Sequence, residues 1–135
     1  MAVLLVEDDA VVRLTLCEFL EDAGLHVLEA ADAVTALALL ETPAYDITVL
    51  VTDLNLGTGD NGLILAAKAR RLRRRLRVVY ETGSPDMLLG RRMRPWERAF
   101  IKPFDAARLT DDVAALDRAL SQSTGVLSSG ATSLP

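Results

Sequence analysis

The sequence predicts a doubly wound α/β fold: a parallel sheet of five strands with helices on both faces. Three observations lead there. Short apolar runs rich in β-branched residues alternate with stretches whose apolar residues recur at helical spacing, the order expected of βαβ units. The runs 2–6 and 47–52 are nearly continuous in apolar or β-branched residues rather than alternating, which suits strands covered on both faces. Both stop abruptly at carboxylates, Glu7-Asp8-Asp9 and Asp53. The C-terminal ends of parallel strands are where open α/β sheets hold their ligands.

Taken in order, residues 2–6 form the first strand. Val12, Leu16, Phe19, Leu20 and Ala23 then fall at helical spacing, and Gly24 supplies the stop. Residues 26–30 read as a second strand. Asp32 caps a helix through Val34, Leu37 and Leu40, which Thr42-Pro43 closes. The strand ending at Asp53 leads into a glycine-rich loop over 55–62, then a helix carrying Leu63, Ile64, Ala67 and Leu72. Residues 77–82 read as a fourth strand, a short helix covers 86–92, and Ala99-Phe100-Ile101 is a brief fifth strand before Lys102-Pro103. The last helix has Leu109, Val113, Leu116 and Leu120 on one stripe. Right-handed crossovers join the strands. The domain is expected over 1–120. Residues 121–135, rich in Ser, Thr and Gly and without periodicity, are expected to be a disordered tail.

Composition narrows the function classes. The 135 residues suit one domain with an aliphatic core. One cysteine, Cys17, excludes an intramolecular disulfide and a cysteine-cluster metal site. No segment has the form of a signal peptide or the roughly 20 apolar residues of a membrane span, so a reducing cytoplasm is the default location. The net charge of −4 hides a strong asymmetry. Residues 1–67 hold twelve acids and one base, whereas residues 68–102 hold twelve bases and three acids. The acidic half suggests a cation site.

The strand ends carry the chemistry. Glu7 and Asp8 follow strand one, Asp53 ends strand three, Thr82 ends strand four and Lys102 follows strand five. In a parallel sheet these ends share one edge. Converging carboxylates repel one another unless a cation joins them, and oxygen donors without Cys or His favour Mg²⁺. A lysine and a hydroxyl beside such a cation make a site for anionic oxygens. The whole suits a pocket for Mg²⁺ and a phosphoryl group, with a carboxylate as nucleophile.

Val-Leu-Leu-Val-Glu7-Asp8-Asp9, Val-Thr-Asp53-Leu-Asn55, Glu81-Thr82-Gly83 and Phe100-Ile101-Lys102-Pro103, in this order, resemble the receiver domain of two-component response regulators over about residues 2–120. The resemblance implies a five-stranded sheet in flavodoxin-like order 2-1-3-4-5. It implies that Asp53 is the phosphoacceptor, that Asp8 holds Mg²⁺ directly, Glu7 largely through water and Asn55 through its backbone carbonyl. Thr82 would hydrogen-bond the phosphoryl group, Lys102 would pair with it, and the Lys102-Pro103 bond would be cis. The phosphoryl donor would be a histidine on a sensor kinase or phosphotransfer protein. A stand-alone regulator would then signal by protein contacts or by phosphorelay.

Two departures from the family pattern stand out. Ala99 occupies the position of the usual aromatic three residues before the lysine. Gly57 replaces the usual proline after Asp53, and Gly62 closes the loop one residue late. Ala99 keeps open a pseudo-receiver that binds partners without phosphorylation. A Mg²⁺-dependent aspartyl-phosphate phosphatase is the rival enzyme, but it needs a second acid where Asn55 stands.

The basic run from Lys68 to Arg77 ends a helix, where cations complement the macrodipole, and no aromatics interleave it. It is read as a solvated face rather than a nucleic-acid site. Trp96 is read as partly buried, Cys17 as a buried thiol, His26 as a plain strand residue, and Asp9 as a helix cap. Val11 and Leu14 lie off the core stripe of the first helix, beside the acidic residues. As in the family, they suggest a docking patch for the phosphodonor helix.

Overall fold

The computed structural model describes residues 1–57 and 59–133, with side chains described through residue 119. Five strands, β1 (Ala2–Val6), β2 (Val27–Ala30), β3 (Ile47–Asp53), β4 (Arg77–Thr82) and β5 (Glu97–Ile101), alternate with four helices. The helices are α1 (Ala10–Asp22), α2 (Ala33–Leu40), α3 (Gly62–Leu72) and α4 (Ala106–Ser133). The strands form one sheet in the order β2-β1-β3-β4-β5, every pairing parallel. This is the flavodoxin-like arrangement. α4 includes 121–133, the segment whose Ser, Thr and Gly composition reads as a tail. Residues 134–135 and the side chain of Leu120 lie outside the described residues.

Strand alternation divides the core into two layers. Leu4, Val6, Leu50, Val78 and Tyr80 face α2 and α3, where Ala33, Ala36, Leu40, Leu65, Ala66 and Ala69 cover them. Val3, Leu5, Val49, Val51 and Val79 face α1 and α4, against Leu16, Cys17, Leu20, Leu109, Val113 and Leu116. β1 and β3 are buried along their whole length, as their unbroken apolar runs require.

Several helix residues face otherwise than their spacing suggested. Phe19, placed on the core stripe, is 41% exposed, whereas Cys17 is buried on α1, as its reading as a buried thiol expected. On α3 the buried residues are Gly62, Leu65, Ala66 and Ala69, while Ile64 and Leu72 lie outside. Small residues let the helix sit close to the sheet, and a spacing search that rewards large apolar side chains selects the wrong stripe. The short helix expected over 86–92 is a single 3-10 turn, Pro85–Leu88, and β5 begins at Glu97, two residues before the expected start.

Side-chain caps fix the helix starts. Val11 and Val12 N–H donate to Asp9 Oδ1, Thr35 N–H to Asp32 Oδ1, and Ile64 N–H to Asn61 Oδ1. Trp96 is half-buried, with the Arg70 guanidinium 4.0 Å from its ring centroid. Arg73 donates to the carbonyls of Leu40 and Thr42, so part of the basic run serves the fold.

Gly62 is required by close approach. A Cβ there would lie 2.2 Å from the Asp53 carbonyl oxygen and 2.9 Å from Leu54 Cα, both backbone atoms. We expect Gly62→Ala to cost about 2 kcal/mol or more, because backbone on two elements must shift to admit one methyl. Urea unfolding of the two proteins measures this.

Candidate functional site

The site grows from the sheet's own register. Leu5, Val51 and Val79 are partners across β1, β3 and β4 on the face toward α1 and α4. Two residues further along each strand direction the same face carries Glu7, Asp53 and Glu81, with Asp53 and Glu81 direct register partners. An apolar row is thus followed by an acidic row on three adjacent strands. Lys102, just past the end of β5, closes it. Its Nζ lies 3.1 Å from Asp53 Oδ2, 3.4 Å from Glu7 Oε1 and 3.6 Å from Glu81 Oε1.

Asp53 is held at both oxygens, with Oδ1 accepting the Asn55 N–H at 3.0 Å and Oδ2 accepting from Lys102. Glu7 and Glu81 are fully buried. With the acids ionised, Glu7 Oε2 and both Glu81 oxygens have no hydrogen-bond donor among the described residues. One carboxylate oxygen from each of Glu7, Asp53 and Glu81 lies within 4.8 Å of the others. Buried hard oxygens lacking donors are what a divalent cation takes as ligands, so the residues fit Mg²⁺.

Electrostatics follow from this crowding. Burial pushes the Glu7 carboxyl up to about 9, helped by the Glu81 charge and by a proton shared with Asp53, while Lys102 opposes the shift. Burial likewise raises Glu81 to about 7, with Lys102 again pulling the other way. Burial works against the charge of Lys102, but Asp53, Glu7 and Glu81 together outweigh it and raise that group.

The expected residues are not all in this row. Asp8 is exposed; a Cβ built on Gly57 would stand 3.7 Å from its Oδ2, which places the Asp8 carboxylate over the loop after β3. Asn55 is exposed at the same rim and reaches Ser84 Oγ through its side-chain amide at 3.4 Å. Thr82 is buried, and its hydroxyl accepts the Ser84 N–H at 2.8 Å. By alternation it belongs with Tyr80, one step out of the acidic row. The Lys102-Pro103 bond is cis. Ala99 is exposed on β5 opposite Tyr80, so the usual aromatic has no counterpart there. Gly57 has φ +75°, a value closed to proline, which accounts for the replaced loop residue.

Glu81 is the residue that sequence reasoning passed over as a functional group. Its signal was available: Val79-x-Glu81 repeats the spacing of Leu5-x-Glu7 and Val51-x-Asp53.

Fold and site together define a parallel α/β signalling domain with an acidic pocket and a lysine at its C-terminal edge. The chain belongs to the response regulator receiver domain family, which it matches over residues 3–114. It is 34% identical over 111 residues to the aerobic respiration control protein ArcA of Escherichia coli K12, a match covering 80% of this chain and 44% of ArcA. The chain therefore spans less than half the length of the curated relatives it matches. Among solved structures, it resembles a response regulator receiver protein from Sinorhizobium medicae at TM-score 0.78 and 27% identity, covering 86% of this chain and 93% of that one. A CheY-like receiver domain from Methanospirillum hungatei gives TM-score 0.72 and 25% identity, with 90% and 97% coverage. The receiver domain of the hybrid histidine kinase CckA gives TM-score 0.72 and 29% identity, with 86% and 98% coverage. Receiver domains of this family bind Mg²⁺ through acidic residues and work with histidine kinases or phosphotransfer proteins.

The raised groups set a pH dependence. Between the ordinary carboxylate value of 4.5 and their folded values near 7 and 9, Glu81 and Glu7 bind more protons in the folded state than in the unfolded one. Their contribution is fully present below about pH 4.5 and is lost as pH rises through 7 and then 9. In EDTA the melting temperature should therefore fall from about pH 5 to pH 9. Excess Mg²⁺, which favours the ionised acids, should stabilise the protein most at the alkaline end. Thermal melts across that range with each addition report both effects.

Proposed function

We propose that this chain accepts a phosphoryl group on Asp53 in a Mg²⁺-dependent reaction. The donor is a phosphohistidine of a sensor kinase or a histidine phosphotransfer protein. The observation that carries the reading is the fixation of Asp53: an Asn55 N–H and the Lys102 ammonium hold its two oxygens at the mouth of the acidic row.

In the transfer, a carboxylate oxygen of Asp53 forms a bond to phosphorus as the P–N bond to the donor imidazole breaks. The bonding pair stays on that nitrogen. Lys102, already within hydrogen-bond reach of Asp53, pairs with the oxygens of the arriving group. Thr82 donates its hydroxyl to another of them. Glu7, Asp53, the rim carboxylate of Asp8 and the Asn55 carbonyl would hold Mg²⁺, which would supply neutralisation of charge on the transferred oxygens. Signalling by protein contacts or onward phosphotransfer, and action in the cytoplasm, belong to the same reading. Among the described residues no helix is long and apolar enough to cross a membrane.

Val11 and Leu14, 73% and 57% exposed on the first turns of α1, offer an apolar landing beside Glu7 for the donor's helix. Val11→Asp with Leu14→Asp should slow transfer from the cognate donor at least about tenfold, because charge replaces the apolar anchors. Labelling by acetyl phosphate, which needs no docking, should be unchanged.

Incubation with acetyl phosphate and Mg²⁺ should add one phosphoryl group, read by intact mass, and Asp53→Asn should abolish it. Lys102→Ala should slow labelling at least about tenfold, as loss of one charge-stabilising donor does elsewhere. No mass gain at saturating Mg²⁺, or the same gain in Asp53→Asn, rejects phosphorylation on Asp53.

A further inference from the structure

We propose that Glu81 is a cation-holding residue of this pocket, so that β4 supplies a third buried carboxylate that binds a divalent metal together with Glu7 and Asp53. This deepens the reading of the site as a Mg²⁺-dependent phosphoacceptor and rests on it.

Position is the first argument. Glu81 is the register partner of Asp53 on the neighbouring strand, so the two side chains leave the same face of the sheet side by side. Their carboxylate oxygens and one from Glu7 converge within 4.8 Å. A ligand at this place comes from a rigid central strand rather than from a loop.

Burial is the second, independent argument. Glu81 is 0% exposed, yet with the acids ionised neither of its oxygens has a hydrogen-bond donor within reach among the described residues. Its one ion pair, to Lys102 at 3.6 Å, is shared with Glu7 and Asp53. Val79, two residues earlier on the same face, shows that an apolar side chain suits this layer. A carboxylate kept in such surroundings without a donor of its own is destabilising unless something else engages it.

Charge and donor chemistry name the ligand. When a divalent cation binds and all three acids ionise, they face one ammonium with two negative charges in excess, which that cation balances. All the converging donors are carboxylate oxygens, so the ion is a hard one such as Mg²⁺ or Mn²⁺. Asp8, out at the rim, can add to this set but does not substitute for the buried row.

Isothermal titration of the full chain with MgCl₂ tests the inference on wild type, Glu81→Gln and Glu81→Asp. Glu81→Gln should bind Mg²⁺ at least about tenfold more weakly, and Glu81→Asp should retain most of the affinity. A Glu81→Gln protein with wild-type circular dichroism and wild-type Mg²⁺ affinity overturns the proposal. A second measurement needs no variant. In wild type carrying carboxyl-¹³C glutamate, Mn²⁺ should broaden the Glu81 and Glu7 side-chain resonances together, and a Glu81 signal left sharp at saturation overturns it as well. The two readings fail differently. If Asp53 is labelled by acetyl phosphate while Glu81→Gln binds Mg²⁺ normally, only the role of Glu81 falls. If wild type neither binds Mg²⁺ nor is labelled, the reading of the whole site falls with it.

Discussion

The parallel register of β1, β3 and β4 is the constraint on which everything else in this molecule depends. It aligns Leu5, Val51 and Val79 as an apolar row under α1 and α4, and the period of two then fixes the next row on that face. Glu7, Asp53 and Glu81 must leave the same face one pleat later. A slip of one residue in any strand would send its carboxylate to the opposite face and an apolar side chain into the pocket. The core layer that holds the sheet together is therefore also what aims the acids. Their crowding, with Lys102 as the shared counter-charge, is a consequence of that packing.

Around this row the backbone does the fine positioning. The loop after β3 turns back sharply: Leu54 N–H donates to the Glu81 carbonyl, Asn55 N–H to Asp53 Oδ1, and Gly62 N–H to the Leu54 carbonyl. Such a return brings α3 so near the end of β3 that only a residue without Cβ fits at Gly62. Gly57 supplies the positive φ within the same loop, and Asn61 caps the next helix. The departures from the usual loop pattern are thus one coherent local solution. They leave the Asp53 carboxylate oriented by fixed donors.

The basic segment divides its labour in a way its composition does not reveal. Arg70 stacks on Trp96 and donates to the Leu76 carbonyl, and Arg73 fastens the end of α3 to the end of α2. Arg91 pairs with buried Glu97 and covers the ring of Tyr80. The Arg70 and Arg91 contacts fasten the 85–96 connection, whose described regular structure is one 3-10 turn, to its surroundings. Part of the basic segment therefore serves structure away from the carboxylates.

The sequence by itself determined the alternation of strands and helices, the helix caps at Asp9 and Asp32, and the candidacy of Asp53, Glu7 and Lys102. Each of these rests on a local signal: an unbroken apolar run, a capping side chain beside a helix start, a charged group where a strand ends. Tertiary structure decided what depends on neighbours far along the chain. It selected the small-residue face of α3 over the Ile64 and Leu72 side, because closeness to the sheet favours Ala and Gly. It turned Phe19 outward, set Asp8 at the rim, and gave the inner place beside Asp53 to Glu81. Periodicity says which residues share a face of one strand. Only the register between strands says which of them meet.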